Sequence, residues 1–196
     1  MRYALVFLIL AAACGSPDYP SAVYARQPDP RNKEIVLGVG DILSINVWDQ
    51  KDLNTEATIR PDGTITMPLV GDVKATGQTP TALREKIKAS LVNFVKLGGG
   101  NEITVAVKAW NSYRFTVNGE VSRPGVYTNP NWIQVSDALA LAGGPTRFAD
   151  RDKIVLIRKT AGAQTQYIPL NFDLLASGKR PDMNVWVLAE DVIYVP

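Results

Sequence analysis

The chain has 196 residues, 21 lysines and arginines against 19 aspartates and glutamates, no histidine and one cysteine. A chain of this length buries about 70% of its unfolded surface without a disulfide or metal staple, and its net charge of +2 supplies no basic field for nucleic acid. The lack of histidine excludes Ser-His-Asp and Cys-His machinery and an ordinary catalytic zinc site, and one cysteine excludes an internal disulfide; neither a metal nor a cofactor is expected.

Met1-Arg2-Tyr3 is a short basic start, and Ala4 to Ala13 is a continuous apolar stretch. At ~1.5 Å per residue it spans about half of a ~30 Å hydrocarbon core, so residues 1–13 read as a secretory signal rather than a transmembrane helix. Its end, Leu10-Ala11-Ala12-Ala13-Cys14-Gly15, resembles a bacterial lipoprotein lipobox, with the leucine four residues before the cysteine where three is more usual. The resemblance implies acylation of Cys14 as the first mature residue. Gly15 after it implies an outer-membrane destination. Loss of Arg2 leaves 20 basic side chains against 19 acidic ones. The lipid chains of such an anchor exceed the two signals that stable attachment needs. The other reading of this segment is an ordinary signal peptide followed by an incidental cysteine.

Pro17, Pro20, Pro28 and Pro30 punctuate a polar stretch to Lys33. Proline at this density resists helix and favours extended chain. Residues 14–33 are therefore expected to form a tether reaching roughly 55 Å from the lipid, although a disordered leader or a packed arm fits the same residues.

From Glu34 onward, short β-like runs alternate with turn signals. Ile42 to Trp48 alternates as a strand with one buried face. Pro61-Asp62-Gly63 between Thr58-Ile59-Arg60 and Thr64-Ile65-Thr66-Met67 reads as a tight turn joining two strands, and Val70 to Ala75 continues in the same style. Thr79 is placed to cap a helix that starts at Pro80. Leu83, Ile87, Leu91 and Phe94 share one face of that helix, and Gly98-Gly99-Gly100 ends it. Ile103 to Val107 is again a strand. The second half repeats this order: a strand at Tyr113 to Val117, a strand-turn-strand passage from Gly119 to Tyr127, then a short helix carrying Val135, Leu139 and Ala142. Gly143-Gly144-Pro145 stops that helix, and strands follow at 153–158, 166–170 and 191–195. The class is α+β in two small mixed domains, over residues 34–110 and 111–196.

Paired carboxylates are the remaining catalytic option, with Asp41, Asp49, Asp62, Asp72, Asp137, Asp150 and Asp191 as candidates. Asp62 sits inside a turn and Asp137 in a first helical turn, positions where a carboxylate has a local structural role. The glycines at 98–100 lack the Gly-Lys-Ser/Thr ending of a phosphate loop, and Gly143-Gly144 follows a helix instead of opening one. Trp48, Trp110, Trp132 and Trp186 are able to stack on sugar rings, and are equally ordinary core and interface material. The chain is read as a non-enzyme.

The ordered motifs resemble a known family. Gly40-Asp41-Ile42-Leu43-Ser44-Ile45-Asn46-Val47-Trp48, Arg60-Pro61-Asp62-Gly63-Thr64-Ile65, Pro68-Leu69-Val70-Gly71-Asp72-Val73 and Ala75-Thr76-Gly77-Gln78-Thr79 look like the polysaccharide biosynthesis/export domain. Val117-Asn118-Gly119-Glu120-Val121, Pro124-Gly125-Val126-Tyr127 and the run from Asp137 to Gly143-Gly144 resemble an SLBB domain, a β-grasp module. With the lipobox, the chain is similar to outer-membrane polysaccharide export lipoproteins. The resemblance implies a ring-shaped homo-oligomer at the periplasmic face of the outer membrane. Capsular or extracellular polysaccharide would be its cargo and an inner-membrane polysaccharide co-polymerase its partner. Larger members add a second SLBB module and a terminal pore helix. This chain stops at Pro196, so a separate outer-membrane β-barrel is expected to provide final exit. Leu188-Ala189-Glu190-Asp191 replaces the family's usual Pro-Gly-Asp turn. A monomeric periplasmic glycan-binding lipoprotein is the alternative reading.

Overall fold

The computed structural model describes residues 19–95, 102–160 and 164–196. Cys14 and Gly98 to Gly100, which carry the acylation and helix-stop expectations, lie outside these residues.

Alternation of burial builds the first sheet. In β1 (Ile42–Val47), Leu43, Ile45 and Val47 are buried while Asn46 is exposed. β1 lies between β2 (Thr55–Thr58) and β5 (Ile103–Ala109), antiparallel to both. β3 (Thr64–Met67) and β4 (Gly71–Lys74) form a separate antiparallel hairpin. α2 (Pro80–Leu91) follows a one-turn α1 (Ser21–Ala25) in chain order and presents Leu83, Ile87 and Leu91 to the core. Thr79 Oγ1 accepts the Ala82 amide at 3.2 Å and so caps it. The strands β1 to β5 and α2 enclose one hydrophobic core, from Leu37 to Ile103.

The second sheet has the order β7-β6-β10-β8-β9: β6 is Arg114–Gly119, β7 Gly125–Thr128, β8 Ile154–Lys159, β9 Thr165–Leu170 and β10 Val192–Val195. β10 runs parallel to β6 and antiparallel to β8, so the last strand sits in the centre. α3 (Val135–Leu141) joins the two hairpins, the arrangement expected of a β-grasp module. Its Gln134 and Asp137 form a reciprocal capping box. A second core, including Tyr113, Phe115, Leu139, Leu156 and Ile193, belongs to this sheet. A short α4 (Phe172–Ala176) follows β9.

Three local expectations change. The Pro61-Asp62-Gly63 turn forms, with the Gly63 amide donating to Arg60 O (2.8 Å), but its flanking strands are not partners. Buried Ile59 crosses from β2 on the first sheet to the hairpin of β3 and β4. Phe94 is 57% exposed because α2 ends at Leu91, before the fourth apolar position. The proline-rich stretch is a packed arm from Tyr19 onward. Pro20 precedes α1 as its N-cap residue and the next prolines lie beyond it, so one helical turn fits between them. Tyr24 is 4% exposed in the second core, and its hydroxyl donates to Pro169 O at 2.6 Å.

Candidate functional site

Asp41, first of the motif residues, is fully buried where the two cores meet. Its Oδ1 accepts the Ser112 amide at 2.7 Å; its Oδ2 accepts the Ser112 hydroxyl and the Gly38 amide, each at 2.8 Å. One carboxylate thus joins the residue leading into β6 to the strand start of the first sheet. A Cβ on Gly38 would lie 2.4 Å from Ser112 Cβ, so the two segments meet at a contact only glycine admits. Asn111 Nδ2 donates to Gly40 O at 2.9 Å beside it. Asp41→Ala strands three part-buried donors at this joint, where an orphaned donor left out of water costs about 1–3 kcal/mol. A net loss of about 2–3 kcal/mol is expected after water enters, with greater protease sensitivity near Trp110. Urea unfolding checks the first and limited proteolysis the second.

A second cluster clamps the hairpin. Arg60 Nη2 lies 2.9 Å from Asp72 Oδ2 and 3.4 Å from Asp62 Oδ2. The Thr64 amide and hydroxyl donate to Asp62 Oδ1 (2.9 and 2.6 Å), and the Thr66 hydroxyl donates to Asp72 Oδ1 (2.6 Å). The threonine bonds first, and Arg60 after them, hold both carboxyls below their ordinary value of 3.8. Folded values below unfolded ones mean that this stabilisation is complete above about pH 4 and lost as pH falls further. Carboxyl NMR titration is expected to find both midpoints below 3.8. Thr66→Val should raise the Asp72 midpoint alone.

The remaining motif residues are turn positions. Pro61 and Gly63 form the clamp turn, and Gly71 opens β4 after Leu69. Gly125 opens β7 directly after Pro124, Gly143 and Gly144 follow α3, and Gly119 ends β6 against Val195. None of these side chains gathers into a reactive cluster. The other aspartates are likewise structural: Asp137 accepts the Gln134 amide (3.0 Å), Asp150 pairs with Lys153 (2.9 Å) and Asp191 with Arg158 (2.6 Å). Asp49 differs, for it lines an open cleft beside Trp48. Among the described residues, no group of three or more His, Cys, Asp or Glu side chains is placed to hold a metal ion.

The tryptophans divide by environment. Trp110 stacks on Tyr113 at 4.7 Å and meets Trp132 edge-on at 4.6 Å, filling the space beside the Asp41 joint. Burial pushes the Tyr113 hydroxyl up to about 12, and it donates to Val187 O at 2.9 Å. The Arg31 guanidinium covers Trp186 at 4.7 Å. Trp48 is 80% exposed.

Sequence reasoning missed the tie between arm and second sheet. Arg158 binds Asp191 through Nε and Nη2, and also donates to Gln27 Oε1 (2.9 Å) and Trp186 O (2.6 Å). The interrupted apolar alternation at Arg158, a buried strand position carrying a charge, was the available signal. Arg180 Nη2 donates to Tyr19 O at 2.9 Å, and the Tyr19 hydroxyl donates to Asp152 O.

Residues 29–108 match the family described as polysaccharide biosynthesis/export protein, and residues 114–169 match the SLBB domain. The chain is 31% identical over 147 residues to the EPS I polysaccharide export outer membrane protein EpsA of Ralstonia nicotianae, covering 62% of this chain and 38% of the relative. It is 27% identical over 176 residues to the capsule polysaccharide export protein BexD of Haemophilus influenzae, covering 80% and 42%. With the capsule polysaccharide export outer membrane protein CtrA of Neisseria meningitidis serogroup A it shares 27% over 184 residues, covering 80% and 43%. The chain spans less than half the length of these relatives.

Proposed function

We infer the function of this chain from its family: it belongs to the polysaccharide biosynthesis/export proteins and carries an SLBB domain behind the export domain. Two of its relatives are named as outer membrane proteins of EPS I or capsule polysaccharide export, and a third as a capsule polysaccharide export protein. The proposed role is a non-catalytic component of polysaccharide export at the outer membrane. It is a lipoprotein anchored through Cys14, facing the periplasm and assembling into a ring through which capsular or extracellular polysaccharide passes. Its proposed partners are an inner-membrane polysaccharide co-polymerase and a separate outer-membrane β-barrel.

The observation that carries this reading is the ordered pair of domain matches, together with the joint that couples the two domains through Asp41. The packed arm supports the anchor's placement. Cys14 stands five residues before Tyr19, and five extended residues reach at most about 18 Å. An acyl group on Cys14 therefore keeps the second domain's Tyr19 face close to the membrane. Chromosomal deletion of the gene is the test: loss of surface polysaccharide is expected, and normal surface polymer in a strain without a paralogue sinks the reading. Cys14→Ser should abolish lipid labelling and release the protein from membranes. Native mass spectrometry in detergent distinguishes a ring from a monomeric glycan-binding lipoprotein.

A further inference from the structure

Trp48 stands at the end of β1, on the face of the first sheet that carries no core. The period of two places Ser44, Asn46 and Trp48 together on that face. Pairing of Asn46 with Thr104 and of Ser44 with Ala106 brings the β5 residues alongside them. The Trp48 amide donates to Glu102 O at 2.7 Å, which holds the chain at the sheet's end. Beyond it Asp49 takes a left-handed backbone (φ 56°), and the chain doubles back through Lys51 to Asn54. Asn54 Oδ1 accepts the Val47 amide at 2.9 Å, which closes the far wall. The result is an open cleft of about 590 Å³ in which Trp48 is the one exposed large apolar side chain, Val47 being only 3% exposed, with Asn46, Asp49, Lys51, Asn54, Glu102 and Thr104 around it.

Tryptophan is rarely left bare, because its large apolar face gains most from burial. Among the described residues no ring or guanidinium stacks on Trp48. A protein partner burying this ring would be met by further apolar side chains, since interface cores are depleted in charge. The cleft offers amides, a hydroxyl and charges of both signs instead. That combination matches a pyranose ring, whose axial C–H face is apolar while its rim of hydroxyls both donates and accepts. A left-handed backbone at a non-glycine residue beside the aromatic agrees with a ligand clamp. The cleft volume falls within the range of small-molecule sites.

We propose that Trp48 and the polar side chains around it form a glycan subsite, with a sugar ring stacked on the indole and its hydroxyls bonded to Asn46, Asn54 and Thr104. This rests on the polysaccharide export reading and deepens it. A weak, open subsite suits a transported polymer, because a chain that must move on has to be released.

The test titrates the full acylated chain in detergent with oligosaccharides from partial acid hydrolysis of the producing strain's own exopolysaccharide. Tryptophan emission is expected to change on binding. Trp48→Ala should weaken binding at least tenfold, and Trp48→Phe should recover part of the loss. Neither variant should shift the thermal midpoint appreciably, because the side chain is exposed. Absence of binding by the unaltered protein, equal binding by Trp48→Ala, or release of new reducing ends during the titration each overturns the subsite. So does a change of oligomer size in Trp48→Ala with its oligosaccharide affinity intact, which would make the cleft a contact between copies. If the subsite fails while gene deletion still abolishes surface polymer, export stands without it; normal polymer after deletion removes the export reading itself.

Discussion

Gly119→Ala is expected to cost at least about 4 kcal/mol and to strip β10 from the centre of its sheet. Gly119 has φ +89°, and an added Cβ would lie 2.0 Å from Val195 O and 2.9 Å from Val195 C. Both atoms are backbone, so no rotamer relieves the contact. Val195 is held from both directions: it pairs with Gly119 in the parallel ladder, and its carbonyl accepts the Glu120 amide at 2.7 Å. Either this ladder opens or the turn leaving β6 moves. Both routes expose Ile193 and Val195, which are fully buried. Losses this large are exceptional and comparable to the whole stability of a marginal domain. Gly144→Ala is the control. Gly144 also has positive φ (+76°), but open space surrounds its added Cβ, so backbone strain of only about 1–2 kcal/mol is expected. Denaturant unfolding of the two variants separates steric displacement from strain. Equal losses would show that β10 yields easily.

The second large effect is expected at the Arg158–Asp191 pair. Their side chains are 4% and 1% exposed, with Nη2 and Oδ2 2.6 Å apart. Burial pushes the Asp191 carboxyl up, while Arg158 and the Leu188 amide pull it back toward the ionised form. Asp191→Asn leaves the guanidinium buried without a countercharge, and breaking such a pair costs about 3–5 kcal/mol. Arg158→Met with Asp191→Leu together should cost less than either single change, because no lone charge stays behind. The double variant still loses the bonds from Arg158 to Gln27 and to Trp186 O, so its arm should be cleaved faster by protease than the unaltered arm. A thermal unfolding series and limited proteolysis between Tyr19 and Lys33 read the two effects separately. An Asp191→Asn protein within 1 kcal/mol of the unaltered one would mean that water reaches the pair.

Much of the architecture is legible in local residue order. The Thr79-Pro80 start of α2 needs only a hydroxyl and a residue without a free amide. The capping box of α3 needs Asp137 three residues after Gln134. The alternation of β1, β6, β8 and β10 needs only one buried face. Each rule acts within a few residues, so single-chain reasoning reaches it. Phe94 shows where this ends: its spacing fits the apolar face, yet the helix stops first.

The partner of each strand is not written locally. The Pro61-Asp62-Gly63 turn looks the same whether its flanks form one hairpin or divide between two sheets, and buried Ile59 sends them apart. The arm is the larger case. Proline density argues for extended chain, but burial of Tyr24 and a bond from Gln27 to Arg158, 131 residues away, tie it to the second sheet.

By itself the sequence determined the α+β class, the Thr79 cap, most strand positions and the family resemblance, because motifs and periodicity are properties of neighbouring residues. Only the tertiary structure decided that Asp41 joins two cores, that Arg158 and Asp191 neutralise each other out of water, and that Trp48 alone among four tryptophans stands free. Those outcomes depend on which surfaces meet after the chain closes on itself, and a buried carboxylate, a buried guanidinium or a bare indole acquires its meaning only from what is or is not packed against it.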